Sequence, residues 1–183
     1  MVYILLAEGF EEVEALTPVD LLRRAGIETK LVGVTGETVC GARGISVVTD
    51  LGMDEIDLSS ADMLVLPGGM PGTTNLYADN RVTDAVRTMA DADKYVAAIC
   101  AAPSIILGGM SLLEGRKATC YPGMEDGMKG AEAVKTTCVT DGKFITSCGV
   151  GGALDFACAL ITALAGREKA DEIASSVVYH AGI

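Results

Sequence analysis

The sequence predicts an α/β fold with a parallel sheet covered on both faces. Short, continuously apolar runs alternate with amphipathic segments of helix length, the pattern of βαβ units. Half of the 183 residues are hydrophobic and 21% are charged, enough for a packed core. No repeat, linker or low-complexity tract interrupts the chain, so it reads as a single domain over residues 1–183.

Val2–Ala7 is expected to be the first buried strand, bounded by Glu8-Gly9, with a helix from Glu11 to Ala25 stopped by Gly26. Glu28–Val34 follows as a strand, then shorter β segments around Thr38–Cys40 and Ile45–Thr49. Met63–Leu66 is a strand that ends in Pro67-Gly68-Gly69. Asn80–Asp91 carries Val82, Val86 and Met89 on one helical face. Tyr95–Ile99 is a strand, and Pro103–Leu113 a helix entered through its proline. Cys138–Thr140 and Lys143–Ser147 flank Asp141-Gly142, a hairpin signal. Ala153–Ala165 and Glu168–Val178 close the chain as helices.

Lys plus Arg minus Asp plus Glu is 14 − 25 = −11, with no local basic cluster. Such a charge repels phosphate backbones and anionic lipid, so neither nucleic acid nor a membrane is expected as partner. Met1–Glu8 has no basic n-region, and Asp155 breaks the longest apolar stretch, so the protein reads as soluble and cytoplasmic. Six cysteines stand at 40, 100, 120, 138, 148 and 158 with no C-x-x-C pair, and there is a single histidine, His180. Neither a disulfide framework nor a metal site fits that spacing. No cofactor is expected.

In open parallel sheets ligands sit at the carboxyl ends of strands, which selects the junctions after Ala7, Leu66 and Ile99. Cys100 follows Ile99 directly, and Ala101-Ala102-Pro103 leads into a helix. Small residues there permit the sharp strand-to-helix turn of a nucleophile elbow, and the helix-end amides favour thiolate. The alternative, a buried small hydrophobe, is outweighed by position. Cys158, within Phe156–Leu160, reads as core, whereas Cys40 and Cys120 read as partly exposed. Glu11, Glu12 and Glu14 crowd the start of the first helix. For Glu11 and Glu12 a solvated capping role suffices. Pro18 lacks the N–H that would bond the Glu14 carbonyl, and the break this predicts either turns Glu14 over the sheet or leaves it a surface carboxylate. Gly68 and Gly69 let backbone amides approach a ligand, so Gly69 and Ala101 are the candidate oxyanion hole beside Cys100. Gly149-Val150-Gly151-Gly152-Ala153-Leu154 lacks the third glycine of a dinucleotide fingerprint and reads as a turn.

Glu11-Glu12-Val13-Glu14, Pro18-Val19-Asp20, Leu66-Pro67-Gly68-Gly69 and Ala98-Ile99-Cys100-Ala101-Ala102-Pro103 together resemble the ThiJ/PfpI superfamily. The resemblance spans essentially the whole chain and is nearest to the branch of the parkinsonism-associated deglycase and its bacterial relatives. It implies a flavodoxin-like three-layer sandwich with a mostly parallel central sheet, and a homodimer. It also implies a reactive family cysteine at Cys100 with the Glu14 carboxyl bonded to its sulfur, and an interface arginine near the site at Arg43. The activities it implies are cofactor-free conversion of methylglyoxal or glyoxal to hydroxy acids, repair of glycated groups, and oxidation sensing or chaperone action under oxidative stress. Two departures stand out. Tyr121 precedes Pro122 where several members have histidine, which with His180 alone speaks against a Cys–His protease. Ser147-Cys148-Gly149-Val150-Gly151 replaces the family's S-R-G-P-G.

Three functions compete at this point. The first is a glyoxalase- or deglycase-type enzyme acting on a small 2-oxoaldehyde or glycated substrate. The second is a non-enzymatic redox sensor or chaperone acting through oxidation of Cys100. The third, a flavin or nucleotide binder, is weakened by acidic residues where phosphate would sit.

Overall fold

The computed structural model describes residues 1–179. Seven strands form the main sheet: β1 (Val2–Leu6), β2 (Thr29–Gly33), β5 (Leu51–Gly52), β6 (Met63–Leu66), β7 (Tyr95–Ile99), β10 (Cys138–Asp141) and β11 (Phe144–Ser147). Their order is β10-β11-β7-β6-β1-β2-β5, and every neighbouring pair is parallel except the β10–β11 hairpin. Two small ribbons lie outside it: β3 (Thr38–Cys40) with β4 (Ser46–Val48), and β8 (Lys117–Ala118) with β9 (Glu132–Ala133).

The continuous apolar runs are explained by two-sided burial. In β1, Val2, Ile4 and Leu6 enter one core cluster while Tyr3 and Leu5 enter the other. Met63 and Val65 of β6 oppose Leu64 and Leu66 in the same way. This is period-2 alternation with both faces dry. One face is covered by α1 (Glu12–Arg24), α4 (Ala153–Ala165) and α5 (Arg167–Ser176), the other by α2 (Gly72–Ala78), α3 (Asn80–Asp91) and a π-helical turn over Pro103–Gly108. Helix–sheet–helix layering is the expected three-layer sandwich.

Several elements differ from the sequence expectation. Pro18 does not break α1, which runs unbroken through it; only one backbone bond is forfeited, and the Ala15, Val19 and Leu22 face stays packed. The helix after Pro103 stops at Gly108 instead of Leu113. There the backbone is so close to Gly127 that a Cβ on Gly108 would lie 2.2 Å from its carbonyl oxygen. The hairpin pairs Asp141 with Phe144, so Gly142-Lys143 is the turn and Asp141 belongs to the strand. Helix α2 was not expected, because its Gly72-Thr73-Thr74 start lacks helix formers. Cys158 is half-buried on α4 and not in the core, whereas Cys120 is buried and not exposed. No described helix is long and apolar enough to cross a membrane. His180 lies outside the described residues.

Candidate active site around Cys100

Four neighbouring strand ends meet at one place. β1 leads through Gly9-Phe10 into the first turn of α1, β6 ends in Pro67-Gly68-Gly69, β7 delivers Cys100, and β11 ends before Cys148-Gly149. Cys100 has φ +66°, a conformation that costs a non-glycine residue of order 1–3 kcal/mol. Two backbone bonds hold it: its N–H donates to the Ser147 carbonyl at 2.9 Å, and its carbonyl accepts from the Tyr121 N–H at 2.8 Å. The thiol is thereby lifted above the sheet while remaining half-buried.

Glu14 reaches the thiol from the first turn of α1. Glu11 caps that helix by accepting from the Glu14 N–H at 2.9 Å. The Glu14 side chain is 0% exposed. Its Oε2 accepts from the Gly68 N–H at 3.0 Å, whereas Oε1 is buried with no partner of standard geometry. The Cys100 thiol lies beside this carboxyl, close enough for the two to perturb one another. Gly68 is wedged between the two: a Cβ there would stand 2.5 Å from Cys100 Cβ, 2.5 Å from Glu14 Oε2 and 3.0 Å from the sulfur. Gly68→Ala must therefore push the acid and the thiol apart. We expect the rate of Cys100 alkylation by iodoacetamide to change at least about threefold and stability to fall by about 1–3 kcal/mol, checked by peptide mass spectrometry over time and a thermal melt. Unchanged kinetics would mean that the pair's spacing is irrelevant.

Burial raises Glu14 to about 7, opposed by its hydrogen bond to Cys100 and reinforced by the nearby Glu11 charge. Burial also pushes the Cys100 thiol up to about 12, followed by repulsion from the Glu14 carboxylate and the thiol's bond to it, while the amides of Gly69 and Ala101 pull it down. The helix-end amides do favour the thiolate, but desolvation outweighs them while Glu14 is charged. Two close acids of this kind titrate as a unit. Placing their last proton on Glu14 removes the repulsion and leaves the sulfur as the anion that the two amides face.

Cys100 and Glu14 open into a pocket of about 620 Å³ whose walls include Gly69, Ala101, Arg43 and Tyr121, so all six residues singled out in the sequence border one space. Arg43 and Tyr121 are exposed at its edge. Met70 and Met124 also line it and were missed, while Cys148, Gly149 and Val150, part of the segment that departs from the family pattern, line it too. The last three follow β11, whose parallel pairing with β7 is the signal that would have found them. Glu12 departs most from expectation: it is 3% exposed, and its carboxylate accepts from the Arg43 N–H at 2.7 Å. It is a buried clamp on a loop, not a solvated helix cap. Among the described residues no three His, Cys, Asp or Glu side chains converge as metal ligands.

A model of the DJ-1/PfpI family matches residues 1–163. The chain is 37% identical over 179 residues to "Protein DJ-1 homolog B" of Arabidopsis thaliana, covering 97% of this chain but 41% of that protein, so it spans less than half of that relative. It is 35% identical over 148 residues to a protein of Pyrococcus horikoshii named a deglycase, covering 80% of this chain and 88% of that one. The solved structure of oxidised Toxoplasma gondii DJ-1 superposes with a TM-score of 0.94 at 33% identity, covering 98% of each chain. The elbow cysteine, the buried glutamate and the flavodoxin-like sandwich around them are thus set in a chain that belongs to the DJ-1/PfpI family.

Proposed function

We propose that the protein is a cofactor-independent, cysteine-dependent enzyme of the glyoxalase or deglycase type, converting methylglyoxal or glyoxal to the hydroxy acid. The observation that carries this reading is the pairing of an elbow thiol with a buried acid whose Oε1 has no partner of its own. The Pyrococcus relative's name supports the deglycase class.

In the reaction, the Cys100 sulfur attacks the aldehyde carbon and forms a C–S bond, and the oxygen of the resulting hemithioacetal faces the Gly69 and Ala101 amides. Glu14 supplies a proton to the adduct, removes the hydrogen from the former aldehyde carbon, and returns a proton to the neighbouring carbon. The attacked aldehyde carbon is oxidised and the neighbouring carbonyl carbon reduced within one molecule, so no external oxidant is needed. Water then cleaves the thioester, releasing the hydroxy acid and restoring the thiol. Arg43 and Tyr121 border the substrate at the mouth. The test is incubation with methylglyoxal or glyoxal and no added cofactor. Lactate or glycolate should accumulate catalytically, and stoichiometric adduct without product would refute turnover.

The working form is a cytoplasmic homodimer in which residues 1–183 belong to a single domain of each subunit. Val13 on α1 and Ile45 and Val48 around β4 are exposed apolar side chains, Val48 at 75%, the kind of surface that a partner covers. Sedimentation should give twice the monomer mass, and Val48→Asp should shift it towards the monomer. A wild-type monomer at micromolar concentration would refute the assembly.

A further inference from the structure

Glu12 is nearly as buried as Glu14, yet the chemistry proposed for Cys100 gives it no task. Its Oε1 accepts from two amides of the loop between β3 and β4, Arg43 at 2.7 Å and Ile45 at 3.4 Å. Its Oε2 is buried without a partner. The loop is shaped to receive this carboxylate: a Cβ on Gly41 would lie 2.4 Å from both Glu12 Cδ and Oε1, so only glycine leaves room for it. Two further bonds fasten the loop's base, Ala42 N–H to the Phe10 carbonyl at 2.7 Å and Gly41 N–H to the Ile45 carbonyl at 2.9 Å. The outward amides of Arg43 and Ile45 thus converge on a buried carboxylate as in a backbone anion nest.

A carboxylate is expensive to bury, and an oxygen left unpartnered more so. A solvated glutamate at the start of α1 would cap the helix equally well. Burial therefore has to serve the loop. The same helical turn that sends Glu14 to the thiol sends Glu12 to the segment that, among the described residues, brings the one cation, Arg43, to the pocket wall. We propose that Glu12 is a positioning residue: it locks the Gly41–Ile45 loop so that Arg43 stands over the Cys100 pocket and favours reagents and substrates carrying a negative charge or a developing oxyanion.

This rests on the placement of Arg43 beside Cys100 but not on turnover, so it can be tested without any glyoxalase activity. Alkylation of Cys100, in which the sulfur displaces iodide, is followed by peptide mass spectrometry with iodoacetate and with iodoacetamide. The anionic-to-neutral rate ratio reads the positive charge over the pocket. Arg43→Ala should lower that ratio about threefold or more. Glu12→Ala should lower it to the same value although Arg43 is intact, and Glu12→Gln, which keeps an acceptor oxygen, should restore most of it. Gly41→Ala, acting from the loop side, should reproduce the Glu12→Ala ratio and keeps the test open if Glu12→Ala fails to fold. A wild-type ratio in folded Glu12→Ala or Gly41→Ala overturns the proposal, as does an Arg43→Ala ratio equal to wild type. If methylglyoxal is not turned over while the ratios behave as stated, the clamp stands and only the catalytic reading falls.

Discussion

Cys100→Ser is expected to lower kcat/KM for methylglyoxal and glyoxal by about a thousandfold or more, a loss typical of removing a covalent nucleophile. The size follows from the proton inventory of the site. Glu14, raised to about 7 by burial, can hold the proton that a thiol gives up once the Gly69 and Ala101 amides face the resulting anion. A serine hydroxyl is far weaker as an acid, so the same carboxyl cannot leave it ionised, and the oxygen is also the poorer nucleophile. The fold should be indifferent to the change. The φ of +66° is held by backbone bonds to Ser147 and Tyr121 that a serine retains, and one half-buried sulfur contributes little packing. The measurement is product formation at neutral pH beside a thermal melt. A Cys100→Ser protein within tenfold of wild type would place the chemistry elsewhere.

How much of this was legible in the sequence depends on whether a signal is local. The βαβ alternation was, because strands buried on both faces must be continuously apolar; Val2–Leu6 and Met63–Leu66 show the two-cluster packing that demands it. The elbow was legible because small residues flank Cys100 directly in the chain. Glu14 was found partly for the wrong reason. Pro18 produces no break, and what brings the carboxyl to the sulfur is the first turn of α1, capped by Glu11 and placed over the strand ends. Glu12 was misjudged because its burial depends on a loop about 30 residues away, which helix-terminus electrostatics do not reveal. Cys148–Val150 stood out only as a departure from the family pattern; its place beside Cys100 depends on which strand lies beside β7, and sheet order is not written in any one segment.

The second large effect is one of sign. Glu14→Gln should abolish turnover, yet make the protein more stable than wild type at pH 8 while leaving the two alike at pH 4. In the unfolded chain the Glu14 carboxyl ionises near its ordinary value of 4.5, whereas in the folded protein burial holds its proton up to about 7. Between those values the folded state binds a proton that the unfolded state has released, so stability falls as pH rises and the loss is complete above the folded value. A difference of about 2.5 units at about 1.4 kcal/mol each is about 3.5 kcal/mol, or about 7–14 °C in Tm for a chain of this size. The result does not depend on which partner carries the proton, since the acid and the thiol together hold one more than in the unfolded chain across that window. Glutamine keeps an oxygen for the Gly68 amide and puts its NH2 where Oε1 already lacks a partner, so it removes the charge without opening a cavity. Melts of both proteins at the two pH values decide it. A variant equally or less stable than wild type at pH 8 would show that the buried carboxylate carries no penalty, and the proton that the rearrangement needs would then have to reside on another group.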